Sequence, residues 1–280
     1  MSVSYTESLI HFWPLGNKLN DEIGGKELLI KLNGVATTDR FGNSDSATLF
    51  NKGYGELQPG NYFNSKGYSF LIWVKVLSYN NFQNIIDFGN GKASNNVLIE
   101  FKGDTDEMRM LIFSNESSNV SPSSKGVALN EWVHIAATYS KRNIVFYING
   151  IEELTFTAST NDVERTKNFI GNSNWNESYA HAIYDDMKIF NRTLTCDEIK
   201  TEKDRVYGDG DEQMFFVLLK NEFFTEGLIH YWPIAGTTKD IIGGNHITIV
   251  KNGLLVDDRF GNKKSGDYLQ CNLFNPEFGF

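Results

Sequence analysis

The chain has 280 residues, of which 40% are hydrophobic and 14% aromatic, enough for the packed core of one large domain or two small ones. Its formal net charge is -9 and its Lys and Arg residues form no cluster, which argues against nucleic acid as a partner because phosphate binding needs concentrated positive charge. The most apolar patch, 214–220, is too short to span a bilayer, so we expect no membrane insertion.

The first half of the chain consists of short runs rich in aromatic and β-branched residues, separated by turn residues. The Asn33-Gly34 pair predicts a turn between strands at 26–32 and 35–38. Further runs predict strands at 9–15, 47–50, 56–57, 62–63, 68–77, 84–88, 96–101 and 109–113.

The segment 131–151, EWVHIAATYSKRNIVFYINGI, gives the strongest structural signal in the sequence. It predicts strands at 132–139 and 144–148, and the Asn149-Gly150 pair then predicts a hairpin turn into a third strand at 151–157. The centre of the protein is therefore predicted to be an antiparallel meander. Further strands are expected at 167–170 and 183–190.

One helix is predicted after the last strand. Thr195 and Glu198 have the spacing of a capping box, with Thr at the N-cap and Glu at the third helical position, and they open a helix over 197–206. Many short strands and a single helix favour an all-β fold, an antiparallel sandwich or jelly roll.

An internal repeat relates 9–50 to 228–269 at a constant offset of 219, with 18 identities over 42 positions and no gap. The repeat predicts a complete domain over 1–206, a polar linker over 207–226 and the truncated start of a second copy over 227–280. A few strands cannot cover their own apolar face, so the second copy is a candidate for packing on the first unit or for self-association through strand exchange with a neighbour.

Several motifs, taken in order, resemble the laminin G-like, concanavalin A-like jelly-roll family. They are HFWPLGNKLND near the start, DRFGNSDSATLF, YSFLIWVKV, EWVHIAATYSKRNIVFYINGIE and YDDMKIFNRTLTCDEI. The resemblance covers about 8–206, and 227–280 repeats its first quarter. It implies two antiparallel sheets packed face to face and a binding role towards glycans, proteins or other extracellular ligands, often with a calcium ion.

The resemblance directs attention to possible calcium ligands, which are carboxylate, carbonyl and water oxygens. The loop that contains Asp21 is rich in such oxygens. Asp185 shares its strand parity with Ile183, Met187 and Ile189, so it is expected to be buried and to need a hydrogen-bonding partner or a metal. The set Asp21, Asp185 and Asp186 is therefore a candidate calcium site. The alternative is an ordinary Asx turn at Asp21 and a solvated Asp186.

A polar segment, NSNWNESYAH, supplies the candidate ligand-binding residues Asn174, Trp175 and Tyr179, because an exposed aromatic ring can stack on the apolar face of a sugar. The alternative for Trp175 is that it closes the edge of the sandwich. Trp13, Trp73 and Trp132 lie in predicted strands, and we expect them in the core.

Catalysis is not expected. His11 and His134 have no nucleophile or second histidine at useful spacing, and no strand carries the pair of carboxylates that a glycoside hydrolase needs. The sequence thus predicts a noncatalytic binding or adhesion module for a glycan or an extracellular protein, with a structural spacer and a jelly-roll hydrolase as alternatives.

The cellular location follows from the resemblance rather than from a targeting signal. It implies an extracellular or cell-surface module of a longer chain. The N-terminus does not look like a signal peptide, which leaves an intracellular protein or a piece of a longer chain as alternatives. Cys196 and Cys271 have no metal or disulfide spacing, and whether they pair is open.

Overall fold

The computed structural model describes residues 8–114, 118–205, 253–256 and 266–269. The chain divides into two units, Met1–Asp204 and Arg205–Phe280. The first unit contains a helix, α1 (Cys196–Lys203), and these strands: β1 (Leu9–Trp13), β2 (Leu28–Thr37), β3 (Ala47–Leu57), β4 (Tyr68–Val76), β5 (Asn84–Gly89), β6 (Val97–Phe101), β7 (Met108–Phe113), β8 (Ser118–Val120), β9 (Trp132–Ser140), β10 (Asn143–Ile148), β11 (Ile151–Thr157), β12 (Lys167–Ile170) and β13 (Ala180–Phe190).

The strands pair antiparallel along one hydrogen-bonded path, in the order β11-β10-β9-β4-β13-β3-β12-β5-β6-β7-β8, with β1 on β13 and β2 on β3. Strand β3 joins the two halves of this path, because its first part pairs with β13 and its last residues pair with β12. The path turns near Lys52, whose φ is 52°. The all-β antiparallel sandwich is thereby confirmed, as one folded sheet in two layers.

The core lies between the two layers. Phe63 connects them, since its ring lies 6.5 Å from Phe70 on β4 and 5.6 Å from Phe88 on β5. Tyr62 and Phe63 were predicted as a short strand, but they lie outside the strands and fill the core instead. Alternate residues of the strands point inward, among them Ile72, Val74, Ile99, Met110, Ile112, Ile135 and Phe146.

The meander is the most local part of the fold and was predicted correctly. β9 pairs with β10 and β10 with β11, and the turn between the last two has φ values of 52° at Asn149 and 75° at Gly150. The capping box is also present: the Thr195 hydroxyl accepts the Glu198 amide at 3.3 Å, and Glu198 accepts the Thr195 amide at 2.8 Å. The helix ends at Lys203, slightly earlier than predicted.

Three further sequence expectations were wrong. The Asn33-Gly34 pair does not end a strand: β2 continues through it with irregular register on both sides of Leu32, because Asn33 adopts a φ of 45° inside a bulge. The predicted strands at 47–50 and 56–57 form a single strand, β3. Trp73 and Trp132 are half-buried on the outer face of the sheet, since their neighbours in sequence point into the core. Trp13 is fully buried, as expected.

In the second unit the structure describes two strands, β14 (Gly253–Val256) and β15 (Gly266–Leu269). Their pairing runs from Gly253↔Leu269 to Val256↔Gly266, which repeats the pairing from Gly34↔Phe50 to Thr37↔Ala47 at the offset of 219. The remainder of 206–280 lies outside the described residues, as does Cys271. The second copy, the linker and the self-association therefore stay predictions. No helix in the described part of the chain is long and apolar enough to cross a membrane.

Candidate functional site

Side chains that point away from the core form a continuous row across one layer of the sandwich. The register aligns Glu56 with Phe169, Phe169 with Asp87, and Asp87 with Leu98. Paired residues of antiparallel strands lie on the same face of the sheet. The residues next to them in sequence belong to the core, so the paired residues face outward; these neighbours are Leu57, Ile170, Phe88, Val97 and Ile99. Asp87 and Leu98 are nevertheless 0% and 1% exposed, so this part of the outer face is covered.

The segment 171–179, called here the 171–179 loop, contacts this outer face and joins β12 to β13. The Asn174 amide donates to Asp87 Oδ2 at 2.7 Å, and Asn84 Nδ2 donates to Glu177 Oε2 at 2.8 Å. The Trp175 ring packs against Phe113 of β7 with 5.2 Å between centroids. The loop therefore lies on β5 and β7. Two carboxylates hold it there: Asp87 of β5 and Glu177 of the loop itself.

Three carboxyl groups meet at this contact: Asp87, Glu100 and Glu177, called here the carboxyl cluster. Burial raises the pKa of Asp87 to about 6, although hydrogen bonds from Asn174 and Asn96 oppose the rise. Burial also raises the pKa of Glu100 to about 7, and the charges of Glu177 and Asp87 contribute to the rise. The cluster contains one ion pair, between Arg109 and Glu100 at 2.6 Å.

Next to the carboxyl cluster lies the aromatic platform, formed by Tyr54, Phe169 and Tyr179. The Tyr54 and Tyr179 rings are stacked, with 5.2 Å between centroids and 17° between planes. Phe169 meets Tyr54 edge to face at 5.9 Å. Tyr179 is 41% exposed, so a ligand can approach the platform from solvent.

The predicted ligand-binding residues have different surroundings. Tyr179 is exposed on the aromatic platform, whereas Trp175 is half-buried against Phe113, which corresponds to the alternative of an edge-closing residue. Asn174 uses its amide groups to hold the loop, since Nδ2 donates to the Lys167 carbonyl at 3.2 Å. Ligand binding by these three residues stays a prediction.

The predicted metal ligand Asp21 is buried and already has several hydrogen-bond partners. Its carboxylate accepts the backbone amides of Phe12 at 2.8 Å and Gly24 at 2.9 Å, and it lies 2.5 Å from His11 Nδ1. Burial alone would raise the pKa of Asp21, but the hydrogen bonds from His11 and the backbone hold it below its ordinary value.

The predicted metal ligands Asp185 and Asp186 both pair with Arg40, which donates from Nη2 to Asp186 at 2.7 Å and from Nη1 to Asp185. A bulge between Asp185 and Lys188, where the φ of Asp186 is 45°, reverses the strand parity, so Met187 enters the core while Asp185 faces outward. Asp185 is buried as expected, although it does not share a face with Met187 and Ile189.

The described residues include no group of three or more His, Cys, Asp or Glu side chains arranged to hold a metal. Asp21 is held by His11 and backbone amides, and the two other aspartates are held by an arginine. Calcium binding by Asp21, Asp185 and Asp186 stays a prediction.

Sequence reasoning missed five residues of the site, one of which is Glu177 of the 171–179 loop. Asp87 and Glu100 carried a usable signal, because each is a lone acid in an apolar strand, NIIDFG and VLIEF. Tyr54 and Phe169 carried none, since their contact depends on pairing between β3 and β12, which are separated by more than a hundred residues.

The strand order and the packing define an antiparallel β-sandwich of the jelly-roll class. A family model described as the concanavalin A-like lectin/glucanases superfamily matches residues 49–200, which is more than half of the chain. The chain belongs to this superfamily, and the resemblance read from its motifs is confirmed. No curated protein matches its sequence.

Solved structures with the same fold include domain 4 of AbnA, an extracellular arabinanase from Geobacillus stearothermophilus in complex with arabinotriose. That match has 16% identity and a TM-score of 0.55, and it covers 71% of this chain and 98% of the domain. The botulinum neurotoxin serotype C1 binding domain has 16% identity and a TM-score of 0.56, with 73% and 54% covered.

The binding domain of botulinum neurotoxin DC, in complex with SialylT, has 17% identity and a TM-score of 0.54, with 72% of this chain and 52% of that domain covered. The chain thus spans about half the length of these toxin binding domains. At such identities the likeness concerns the fold alone.

Proposed function

We propose that the first unit is a noncatalytic glycan-binding module and that the aromatic platform is its binding surface. The observation that carries the proposal is the exposed Tyr179 ring, stacked on Tyr54 at 5.2 Å on the outer face of the sandwich. Stacking on Tyr54 fixes the orientation of the Tyr179 ring, so little side-chain entropy remains to be lost when a sugar stacks on it.

Polar groups suited to sugar hydroxyls lie beside the platform. Glu56 on β3 is the register partner of Phe169. Its Oε2 lies 3.1 Å from Lys31 Nζ, and both side chains are about one third exposed. An aromatic surface beside charged donors and acceptors is the composition expected for a sugar site, with stacking for affinity and hydrogen bonds for orientation. Two of the similar structures were solved with arabinotriose and with SialylT, which supports a saccharide as the ligand. We extend the proposal to action outside the cell, since the arabinanase is extracellular.

A hydrolase would use two accessible carboxyl groups on either side of the bond to be cleaved. The raised pKa values of Asp87 and Glu100 would suit a general acid. However, Asp87 is fully buried beneath the Asn174 amide, and Glu100 is 3% exposed and paired with Arg109. While the 171–179 loop is in place, a sugar therefore has no route to this pair, which favours binding without catalysis.

The test is a glycan array probed with the full chain, followed by calorimetry on the best ligand. We expect Tyr179→Ala to weaken binding by about tenfold or more, a loss of ~1.4 kcal/mol, with an unchanged melting temperature. The matched control is Phe41→Ala, because Phe41 is a similarly exposed ring, at 43%, in the loop between β2 and β3.

Phe41→Ala should leave the affinity unchanged. Equal binding by wild type and Tyr179→Ala, or release of reducing sugar from the bound glycan, would contradict the proposal.

A further inference from the structure

The 171–179 loop carries Tyr179 of the aromatic platform, and its attachment depends on charge. Glu177 Oε2 accepts Asn84 Nδ2 at 2.8 Å and the Ser173 hydroxyl at 2.8 Å. Asp87 accepts the Asn174 amide at 2.7 Å and Asn96 Nδ2 at 2.8 Å. All four donors are neutral, so the loop is held without a cation bound to either carboxylate in the described contacts.

Beside the carboxyl cluster, one buried amide oxygen has no hydrogen-bond donor among the described residues. Asn84 is 0% exposed, and its Oδ1 has no hydrogen-bond partner among the described residues, while its Nδ2 is fully used by Phe82 and Glu177. Rotating the amide would lose those two bonds and turn Oδ1 towards two acceptors, so it would not satisfy Oδ1. Glu100 is the register partner of Asn84 on β6, on the same face. A protonated Glu100 would provide the hydroxyl donor that Asn84 Oδ1 needs.

The charges that face the cluster can be counted for each element. The loop brings Glu177, β5 brings Asp87, β6 brings Glu100 and β7 brings Arg109, whose guanidinium also lies 5.3 Å from the Phe82 ring. His181, at the start of β13, bonds to the Ser78 hydroxyl at 3.0 Å instead. With all carboxyl groups ionised, three negative charges face one positive charge, and like charges repel strongly where water is excluded.

We propose that the 171–179 loop is a pH-sensitive clasp: protons on Asp87 and Glu100 keep it closed over β5–β7, and loss of those protons releases it together with Tyr179. The proposal rests on the proposed function for its effect on glycan binding, but the movement of the loop does not require a ligand. The closed loop holds Tyr179 on Tyr54, so glycan affinity is highest at acidic pH and falls as the pH rises.

The titration range agrees with this geometry. The pKa of Asp87 is raised by burial to about 6 and that of Glu100 to about 7. A carboxyl group with a raised pKa favours the folded contact in its protonated form, and the benefit is lost as the pH rises through the folded-state pKa. We therefore expect the loop to be closed at pH 5 and released by pH 8.

The test uses Trp175 of the full chain as a reporter without ligand. Acrylamide quenching is measured from pH 5 to pH 8 on wild type and on Trp175→Phe, and the difference isolates Trp175 from the other tryptophans. We expect its quenching to rise with a midpoint between the two pKa values, because release of the loop removes Trp175 from Phe113. Quenching that is independent of pH would overturn the proposal.

Two neutral variants test the cause. Glu177→Gln keeps an acceptor for Asn84 and Ser173 and removes a charge that contributes to the raised pKa values, so the rise in quenching should be smaller than in wild type. Glu100→Gln removes another charge and offers a permanent donor to Asn84 Oδ1, with the same expected result. The matched control, Glu152→Gln on the edge strand β11, should keep the wild-type pH response. A pH response in both cluster variants equal to that of wild type would overturn the proposal.

Glycan affinity provides the second readout. For wild type we expect the dissociation constant to rise about tenfold from pH 5 to pH 8, equivalent to ~1.4 kcal/mol, and to rise less in Glu177→Gln. If the loop moves with pH and affinity does not, the link to binding is wrong while the clasp stands. If no glycan binds at any pH, the proposed function fails, and the quenching result still decides the clasp.

Discussion

Two outer faces of the sandwich are covered in different ways. The outer face of β4, β9 and β13 is covered by α1, through apolar contacts of Leu71, Ala136 and Ile199 and through ion pairs. There each buried carboxylate has a cation: Glu202 pairs with Lys188 at 2.5 Å, and Asp185 and Asp186 pair with Arg40. The face of β5–β7 is covered by the 171–179 loop, where Asp87 and Glu177 have neutral donors only in the described contacts.

The two faces differ in the counter-charge that is available to their buried carboxyl groups. On the α1 side, burial raises the pKa of Asp185 and that of Asp186, and the charge of Arg40 opposes both rises. On the loop side, burial raises the pKa of Asp87 to about 6 and that of Glu100 to about 7, and three carboxyl groups share one cation, Arg109, so their ionisation adds repulsion that is not balanced. We therefore expect the α1 side to carry stability and the loop side to carry function.

The largest expected effect is on the α1 side. Arg40→Met leaves Asp185 and Asp186 buried without their shared cation, and removal of one partner from a buried pair costs about 3–5 kcal/mol. Denaturant unfolding at neutral pH should show this loss, and it should shrink in acid, where both carboxyl groups are protonated.

The control is Lys102→Met, which breaks a half-exposed pair with Glu107 at 3.1 Å and should have no measurable effect. A loss for Arg40→Met no greater than that of the control would show that Arg40 does not neutralise the aspartates.

A second effect is expected on the loop side and depends on pH. Folding raises the pKa of Asp87 from 3.8 to about 6, so the native state binds more protons than the unfolded state in this range. The contribution of Asp87 to the free energy of unfolding is therefore complete below its unfolded pKa and falls by about 3 kcal/mol as the pH rises past 6.

The measurement compares unfolding of wild type and Asp87→Asn from pH 4 to pH 8, because the difference curve removes the other titrating groups. The free energy of unfolding of Asp87→Asn, relative to that of wild type, should increase as the pH rises. A difference that is constant with pH would contradict the raised pKa.

A third, smaller effect tests how tightly the meander packs on α1. Gly150 has a φ of 75°, and an added Cβ would lie 3.1 Å from Lys200 Cγ. Gly150→Ala should cost about 1–2 kcal/mol for the left-handed conformation, plus the strain of that contact. Gly103→Ala is the matched control, since Gly103 has a φ of 65° with open space around it. Equal losses of stability in Gly150→Ala and Gly103→Ala, measured by thermal unfolding, would show that Lys200 moves aside without cost.

The parts of the fold that sequence predicts are those set by neighbouring residues. Asn149-Gly150 specifies its turn because both residues tolerate positive φ, and Thr195 with Glu198 specifies the helix start because each side chain caps the backbone of the other. Asn33-Gly34 shows the limit of such reasoning. The same dipeptide lies in a bulge when its flanking segments both pair with β3.

The site depends on contacts between distant segments, which local patterns do not encode. Tyr54 and Tyr179 meet because β3, β12 and β13 are neighbours in the sheet. The alternation of apolar and polar residues along each strand does not specify this strand order. The bulge at Asp186 likewise reverses which residues of β13 face the core, so the predicted parity of Asp185 with Met187 was wrong. Burial of Asp185 was predicted correctly, but its arginine partner was not.

Calcium should have the smallest effect, and it tests whether Arg40 is the main counter-charge on the α1 side. A calcium ion at Asp21, Asp185 and Asp186 would compete with the backbone amides on Asp21 and with Arg40 on the other two. Thermal unfolding of chelator-treated protein, with and without millimolar calcium, measures the effect. We expect any rise in melting temperature to be smaller than the fall caused by Arg40→Met. An equal or larger rise would mean that the aspartates bind calcium in preference to the arginine, and the α1 side would then be metal-dependent.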